Sequence, residues 1–227
     1  MSPVPCEPAA VRVASVRALL FDSDGVLVDS DASALEAWST WATEFGLRPD
    51  EVVQQVHGRR AADTVEALVA APERAGALHR INELELVASS GVRALPGAYD
   101  LLTSLGTIPW AVVTSATSAL AAGRLQAAGL PLPTVLITAD DVHSGKPSPE
   151  GYQTAARRLG YQPARCAVFE DSDAGVLAAQ AAGAGIVVGV QLRHTDSPTW
   201  ASVSDLHAVT CRTGAAGDVE LAVRVSV

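Results

Sequence analysis

The 227 residues predict an α/β protein, a Rossmann-like parallel sheet core with an inserted all-helical cap domain. Three observations carry this. Five short apolar runs, at residues 16–21, 108–114, 135–138, 166–169 and 186–190, end in polar or small residues and alternate with helical stretches. That is the pattern of parallel strands covered on both faces. Helical composition fills 119–128, 149–159 and 175–182, and a glycine suited to a C-terminal stop follows each. Between the first and second apolar runs lies a long interval with four helical segments and no strand pattern.

Taken in order, residues 1–15 read as an N-terminal tail and 16–21 as the first strand, ending at the polar sequence Asp22-Ser23-Asp24-Gly25. Helices are expected at 32–45, 49–56, 61–70 and 75–90. This is too much for a single crossover, so 32–91 is assigned to a separate cap, with 16–31 and 92–227 forming the core. The chain re-enters the core at Leu95-Pro96-Gly97. Ser148 and Pro149 suit the N-cap and first position of a helix. After the fifth strand, 207–210 and 219–225 read as two more short strands at the sheet margin.

Composition narrows the partners. Apolar residues make up 48% of the chain and charged residues 18%, enough to bury a core without staples. A formal net charge of -9 repels polyanions, so neither nucleic acid nor an anionic membrane is an expected partner. No run approaches a membrane span or a signal peptide, and a cytoplasmic monomer is expected. Cys6, Cys166 and Cys211 are odd in number and lack any C-x-x-C, which points to neither a disulfide framework nor zinc.

Asp22 and Asp24 flank one residue just past a strand and before Gly25, so both carboxylates reach one crevice. Two such close charges call for a cation, and Mg²⁺ is held through one or two carboxylates plus substrate phosphate oxygens. Glu170-Asp171 after the fourth strand adds acidic ligands. Lys146 is the single lysine among 16 basic residues, in a chain that otherwise uses arginine. A compact ammonium retained there suits one anion, and a phosphate is the obvious one. A D-x-D-G alone is as often a turn or a helix cap; the conjunction is the signal.

FDSDGVLVDS, VVTSATS, GKPSPE and FEDSDAG, in this order, resemble the four motifs of the haloacid dehalogenase superfamily of phosphohydrolases. In detail the chain resembles its bacterial sugar phosphatases and the yeast glycerol- and deoxyglucose-phosphate phosphatases, sharing HGRR, LPGA and ITADDVHSGKP. The resemblance implies Asp22 as a nucleophile forming an aspartyl-phosphate and Asp24 as general acid and base. It implies Mg²⁺ on Asp22, on the main-chain carbonyl of Asp24 and on Asp171, with Glu170 nearby or water-mediated. Phosphate donors would be Ser115 at a helix start, the Ala116 amide and Lys146, with Thr114 as the hydroxyl if the register slips by one. His57, Gly58, Arg59 and Arg60 are the cap residues expected to meet a small phosphorylated sugar or polyol. Asp29, Asp31 and Asp173 read as capping or solvated carboxylates.

Two alternatives stand beside this. Related hexose-phosphate mutases carry an arginine three residues past the cap glycine and a histidine twelve residues past the nucleophile; here those positions are Ala61 and Ala34. A non-catalytic phospho-acceptor or binding module on the same sheet would not need Asp24.

Overall fold

The computed structural model describes residues 10–192, 197–214 and 217–225. Residues 1–9, including Cys6, lie outside the described residues. The rest of the expected tail is a strand, β1 (Ala10–Val16), followed after Arg17 by the central strand β2 (Ala18–Phe21). A two-residue strand β3 (Val28–Asp29) leads into helices α1 (Asp31–Glu44), α2 (Pro49–Val53), α3 (Ala61–Leu68) and α4 (Arg74–Ala88). The chain returns through β4 (Arg93–Ala94), paired antiparallel with β3. Then come α5 (Ala98–Ser104), β5 (Trp110–Val113), α6 (Ser118–Ala127), β6 (Val135–Ile137), α7 (Glu150–Arg158), β7 (Cys166–Glu170), α8 (Asp173–Ala181) and β8 (Ile186–Val190). Strands β9 (Ala201–Val203), β10 (Val209–Thr213) and β11 (Val219–Val225) close the chain.

Six parallel strands form the main sheet in the order β6-β5-β2-β7-β8-β9. The apolar runs are continuous because each strand serves two cores. Leu19 and Phe21 of β2, Val112 of β5 and Phe169 of β7 face one cluster; Ala18, Leu20, Val113 and Val168 face the other. Alternate side chains of a strand point to opposite faces, so a sheet covered on both sides needs apolar residues throughout. Phe21 and Phe169 stack across adjacent strands with centroids 4.7 Å apart.

Two sequence expectations are corrected here. Strands 207–210 and 219–225 do not extend the parallel sheet. Instead β10 and β11 join β1 in a separate antiparallel sheet of order β1-β11-β10, and the parallel sheet ends at β9. The physical reason lies in β11, where buried Val219, Leu221 and Val223 alternate with less buried residues. A sheet covered on one face carries that period-two pattern. The same pairing turns the supposed tail into β1, with Ala10 opposite Val225.

The inserted helices have their own core around Trp38, Trp41, Val52, Val65 and Ile81. Trp41 is fully buried and donates its indole N–H to the Ala77 carbonyl at 2.9 Å, tying α1 to α4. Among the described residues, no helix is long and apolar enough to cross a membrane.

Candidate active site

The carboxyl ends of β2, β5 and β7 converge, as open α/β sheets place their sites. Asp22 follows β2 directly, and its amide donates to the Phe169 carbonyl at 2.9 Å, registering it against β7. Beyond it the chain turns back on itself: the amides of Leu27 and Val28 both donate to the Ser23 carbonyl, at 2.8 and 3.0 Å. Gly25 has φ +81°, and a Cβ there would lie 1.9 Å from Asp171 Oδ2. Only glycine lets the loop press against Asp171 in this conformation. The Ser23 hydroxyl is buried without a partner among the described residues, and nothing in the structure explains it.

Lys146 sits between two acids. Its ammonium pairs with Asp22 Oδ1, and with Glu170 Oε1 at 2.5 Å, all three side chains being under a tenth exposed. Glu170 is held in turn by the Tyr152 hydroxyl at 2.6 Å, the Asp171 and Ser172 amides at 3.1 and 3.3 Å, and the Ser172 hydroxyl at 3.1 Å. A Cβ on Gly175 would meet Glu170 Oε1 at 1.8 Å, so this carboxylate fills a space only glycine leaves. Burial pushes the Asp22 carboxyl well above its usual range, and the Lys146 charge only partly opposes this. For Lys146, burial favours the neutral amine, but Asp22 and Glu170 outweigh it and keep the ammonium charged. A buried charge persists only with such partners.

Asp24 carries a different set of contacts. Ser30 Oγ and Arg124 Nη1 donate to its Oδ1 at 2.6 and 2.9 Å, and Thr114 Oγ1 donates to its Oδ2 at 3.3 Å. Arg124 is only 4% exposed, and its Nη2 reaches Glu85 Oε1 on α4 at 3.2 Å. Sequence reasoning missed Arg124, Glu85, Ser30 and Tyr152. Thr114 is thereby turned to Asp24 and also accepts the Ala116 amide at 3.1 Å, while the Ser115 hydroxyl lines the cavity. The helix expected to open at Ser115 starts three residues later, at Ser118 with Thr117 as N-cap. Ser115 and Ala116 therefore lie in a loop whose amides are arranged by side chains.

The helical insertion touches the site at the segment before α3. His57 Nε2 lies 3.1 Å from Asp171 Oδ2, and this hydrogen bond raises the imidazole pKa to about 9 against the opposing effect of burial. Burial is the main cause holding the Asp171 carboxyl above its ordinary value, with His57 opposing. The Gly58 carbonyl accepts from Ser115 Oγ at 3.0 Å, and with φ +71° a Cβ there would come 2.9 Å from Ser172 Oγ. Arg60 forks onto Asp63 at 2.9 and 2.6 Å and donates to the Val142 carbonyl at 3.2 Å, bridging insertion to core. Arg59 is exposed on the wall of a cavity of about 360 Å³ between the two parts, which Asp22, Asp24, Trp38, Asn82 and Ser115 also line.

Oxygens of Asp22, Glu170 and Asp171 lie within 4.8 Å of one another, a hard-donor cluster of the kind that suits Mg²⁺. Since Glu170 already meets five donors, Asp22 and Asp171 are the carboxylates with capacity for a metal.

Acidic side chains at the ends of parallel strands, one buried lysine opposing them and a helical insertion closing a cavity above them define a Rossmann-like hydrolase. The chain belongs to the haloacid dehalogenase-like hydrolase family, whose model matches residues 16–183. It is 42% identical over 176 residues to hexitol phosphatase A of Escherichia coli K12, covering 75% of this chain and 82% of that protein. It is 39% identical over 187 residues to the validoxylamine A 7'-phosphate phosphatase of Streptomyces hygroscopicus subsp. limoneus, covering 77% and 85%. The crystal structure of a hydrolase from Pseudomonas syringae superposes with a TM-score of 0.74 at 24% identity, covering 84% of this chain and 94% of that one. That likeness concerns the fold.

Proposed function

We propose that this enzyme, a phosphoric monoester hydrolase, is a Mg²⁺-dependent phosphatase of small sugar or polyol phosphates that works through an aspartyl-phosphate on Asp22. The observation that carries this is the Asp22–Lys146–Glu170 chain, which meets the cavity at Asp22, with Asp24 two residues on, also on the cavity wall and on its own set of donors. Relatives named hexitol phosphatase, glycerol-1-phosphate phosphohydrolase and 2-deoxyglucose-6-phosphate phosphatase support the substrate class.

Asp22 attacks phosphorus in line; its bond to phosphorus forms as the ester oxygen leaves with a proton from Asp24. Asp24 then takes a proton from water, which attacks the acyl phosphate and frees Asp22. Such acid–base assistance is worth about 10²–10⁴ in rate. Lys146 meets the charge on the transferring oxygens, joined by the Ser115 hydroxyl and the Ala116 amide when these turn from the Gly58 carbonyl and Thr114 Oγ1 to the phosphoryl group. Lys146 also restrains Asp22, while Glu170 anchors Lys146. Asp22, the Asp24 main-chain carbonyl and Asp171 would hold Mg²⁺, with Glu170 nearby. When bound, the ion neutralises phosphoryl charge and keeps the nucleophile ionised.

Residues 32–91 act as the cap over a core of 16–31 and 92–227, excluding water, and His57, Gly58, Arg59 and Arg60 shape the sugar end. Ala34 and Ala61 offer no polar group for a second phosphate, which favours hydrolysis over the mutase reaction. The test is turnover across a panel of hexose, hexitol and glycerol phosphates with and without Mg²⁺. Metal-dependent release of phosphate and free polyol supports the proposal. Isomerised phosphate ester as the product, or a strong preference for nucleotides, contradicts it.

A further inference from the structure

We propose that Arg124 is a positioning residue, holding the Asp24 carboxylate at the cavity wall and, through Glu85, tying that hold to α4 of the helical insertion. This rests on the role proposed above for Asp24 and extends it to residues outside the four motifs.

Three observations converge. Arg124 is 4% exposed and Glu85 8%, and a buried charge without a partner is strongly destabilising. The two ends of one guanidinium are divided between the two parts of the molecule, with Nη1 on Asp24 after β2 at 2.9 Å and Nη2 on Glu85 of α4 at 3.2 Å. The planar fork fixes the angle between those contacts, which a lysine ammonium cannot reproduce. Finally, Arg124 and Glu85 both line the cavity above Asp22, so the strut borders the space where the ester must lie. α6 runs close to the end of α4 and the residue after it, which keeps the strut short, since a Cβ on Gly123 would lie 3.8 Å from Leu86 Cδ1 and 3.6 Å from Ser89 Oγ.

Both proton transfers use one Asp24 carboxyl, so its position matters in each half-reaction. An alkoxide leaving group needs the Asp24 proton as the phosphorus–oxygen bond breaks. A nitrophenolate does not. With p-nitrophenyl phosphate, transfer to Asp22 therefore proceeds even when Asp24 is misplaced, whereas removal of the water proton during breakdown of the acyl phosphate still requires it.

The experiment is stopped-flow hydrolysis of p-nitrophenyl phosphate, with acid-quenched phosphoenzyme measured in parallel. It uses the full chain with Mg²⁺, for Arg124→Lys, Glu85→Gln, the charge-neutral pair Arg124→Met/Glu85→Gln, and Asp24→Asn as reference. The expected result for the pair is a burst of nitrophenolate near one per enzyme and accumulated phosphoenzyme. Steady-state kcat should fall about 10- to 100-fold, less than complete loss of acid–base assistance at about 10²–10⁴, and KM should fall with it, because kcat/KM reports the unimpaired first transfer. Arg124→Lys should fall in between. The pair removes the two deeply buried charges together and leaves only the part-exposed Asp24 carboxylate without its cation, so it also guards against a variant that merely fails to fold. Equal loss of burst and steady state, a loss confined to KM, or parent-like kcat in the folded pair each overturns the proposal. Parent-like kinetics in Asp24→Asn would instead overturn the mechanism on which it rests.

Discussion

Replacing Lys146 by methionine removes the one cation between Asp22 and Glu170 while preserving most of the side-chain volume. The ammonium is 7% exposed, pairs with Asp22 and lies 2.5 Å from Glu170, whose carboxylate is fully buried. Breaking such a buried pair from one side costs about 3–5 kcal/mol, because the carboxylates are left uncompensated. For a chain of this size each kcal/mol lowers Tm by about 2–4 °C, so a fall of roughly 6–20 °C is expected. Scanning calorimetry in the presence of a chelator measures it without interference from bound metal. Adding Glu170→Gln to the variant should recover part of the loss, since one of the two stranded charges is then gone. A Tm within about 2 °C of the parent, less than 1 kcal/mol by the same conversion, would refute the reasoning that Lys146 is a structural counter-charge as well as a phosphate donor.

Gly25→Ala places a Cβ 1.9 Å from Asp171 Oδ2 at a positive φ, so Asp171 should move and calorimetric Mg²⁺ affinity should drop about 10- to 100-fold; unchanged affinity would remove Asp171 from the metal site. Trp41→Ala empties the core of the helical insertion and is expected to cost about 3–5 kcal/mol in denaturant unfolding, a loss below 1 kcal/mol counting against that core. Burial pushes the thiols of Cys166 and Cys211 up to about 11 and about 12. Below the unfolded thiol pKa near 8.5 both states keep the proton and this contribution is intact. As pH rises toward 11 the unfolded chain ionises first, so stability falls. At pH 8 the buried Cys166 thiol should alkylate far more slowly in the native than in the denatured chain, and equal rates would contradict its burial.

Five of the six parallel strands were legible because they are apolar on both faces, a property that a single run such as ALLF or CAVFE displays without reference to its neighbours, whereas β9, three residues long with Ser202 exposed at its centre, was not. Asp22, Asp24, Glu170 and Asp171 were legible from short motifs at the ends of those strands, and Lys146 from its motif and from being the single lysine of the chain. What stayed hidden depends on pairing across the chain. Val11 and Val13 of β1 are more than half exposed, and the strand exists because β11, some 200 residues later, lies beside it. Arg124 reads locally as a cation in the last turn of an alanine-rich helix, where a favourable helix dipole accounts for it. Its partners, Asp24 and Glu85, are 100 and 39 residues away. Tyr152 likewise reads as core until its hydroxyl is seen on Glu170. Arg60 lines the cavity as Arg59 does, but the anchoring of its guanidinium on Asp63 and the Val142 carbonyl was not legible from its place in the sequence.

Transient esterification of Asp22 is the central claim. Enzyme mixed with Mg²⁺ and a hexitol phosphate, quenched in acid within the first turnover and digested, should yield a peptide spanning Asp22 that carries one phosphoryl group, and Asp22→Asn should yield none and lose turnover. Turnover at the parent rate with no phosphorylated peptide at any quench time, or a phosphorylated peptide from elsewhere in the chain, would contradict it.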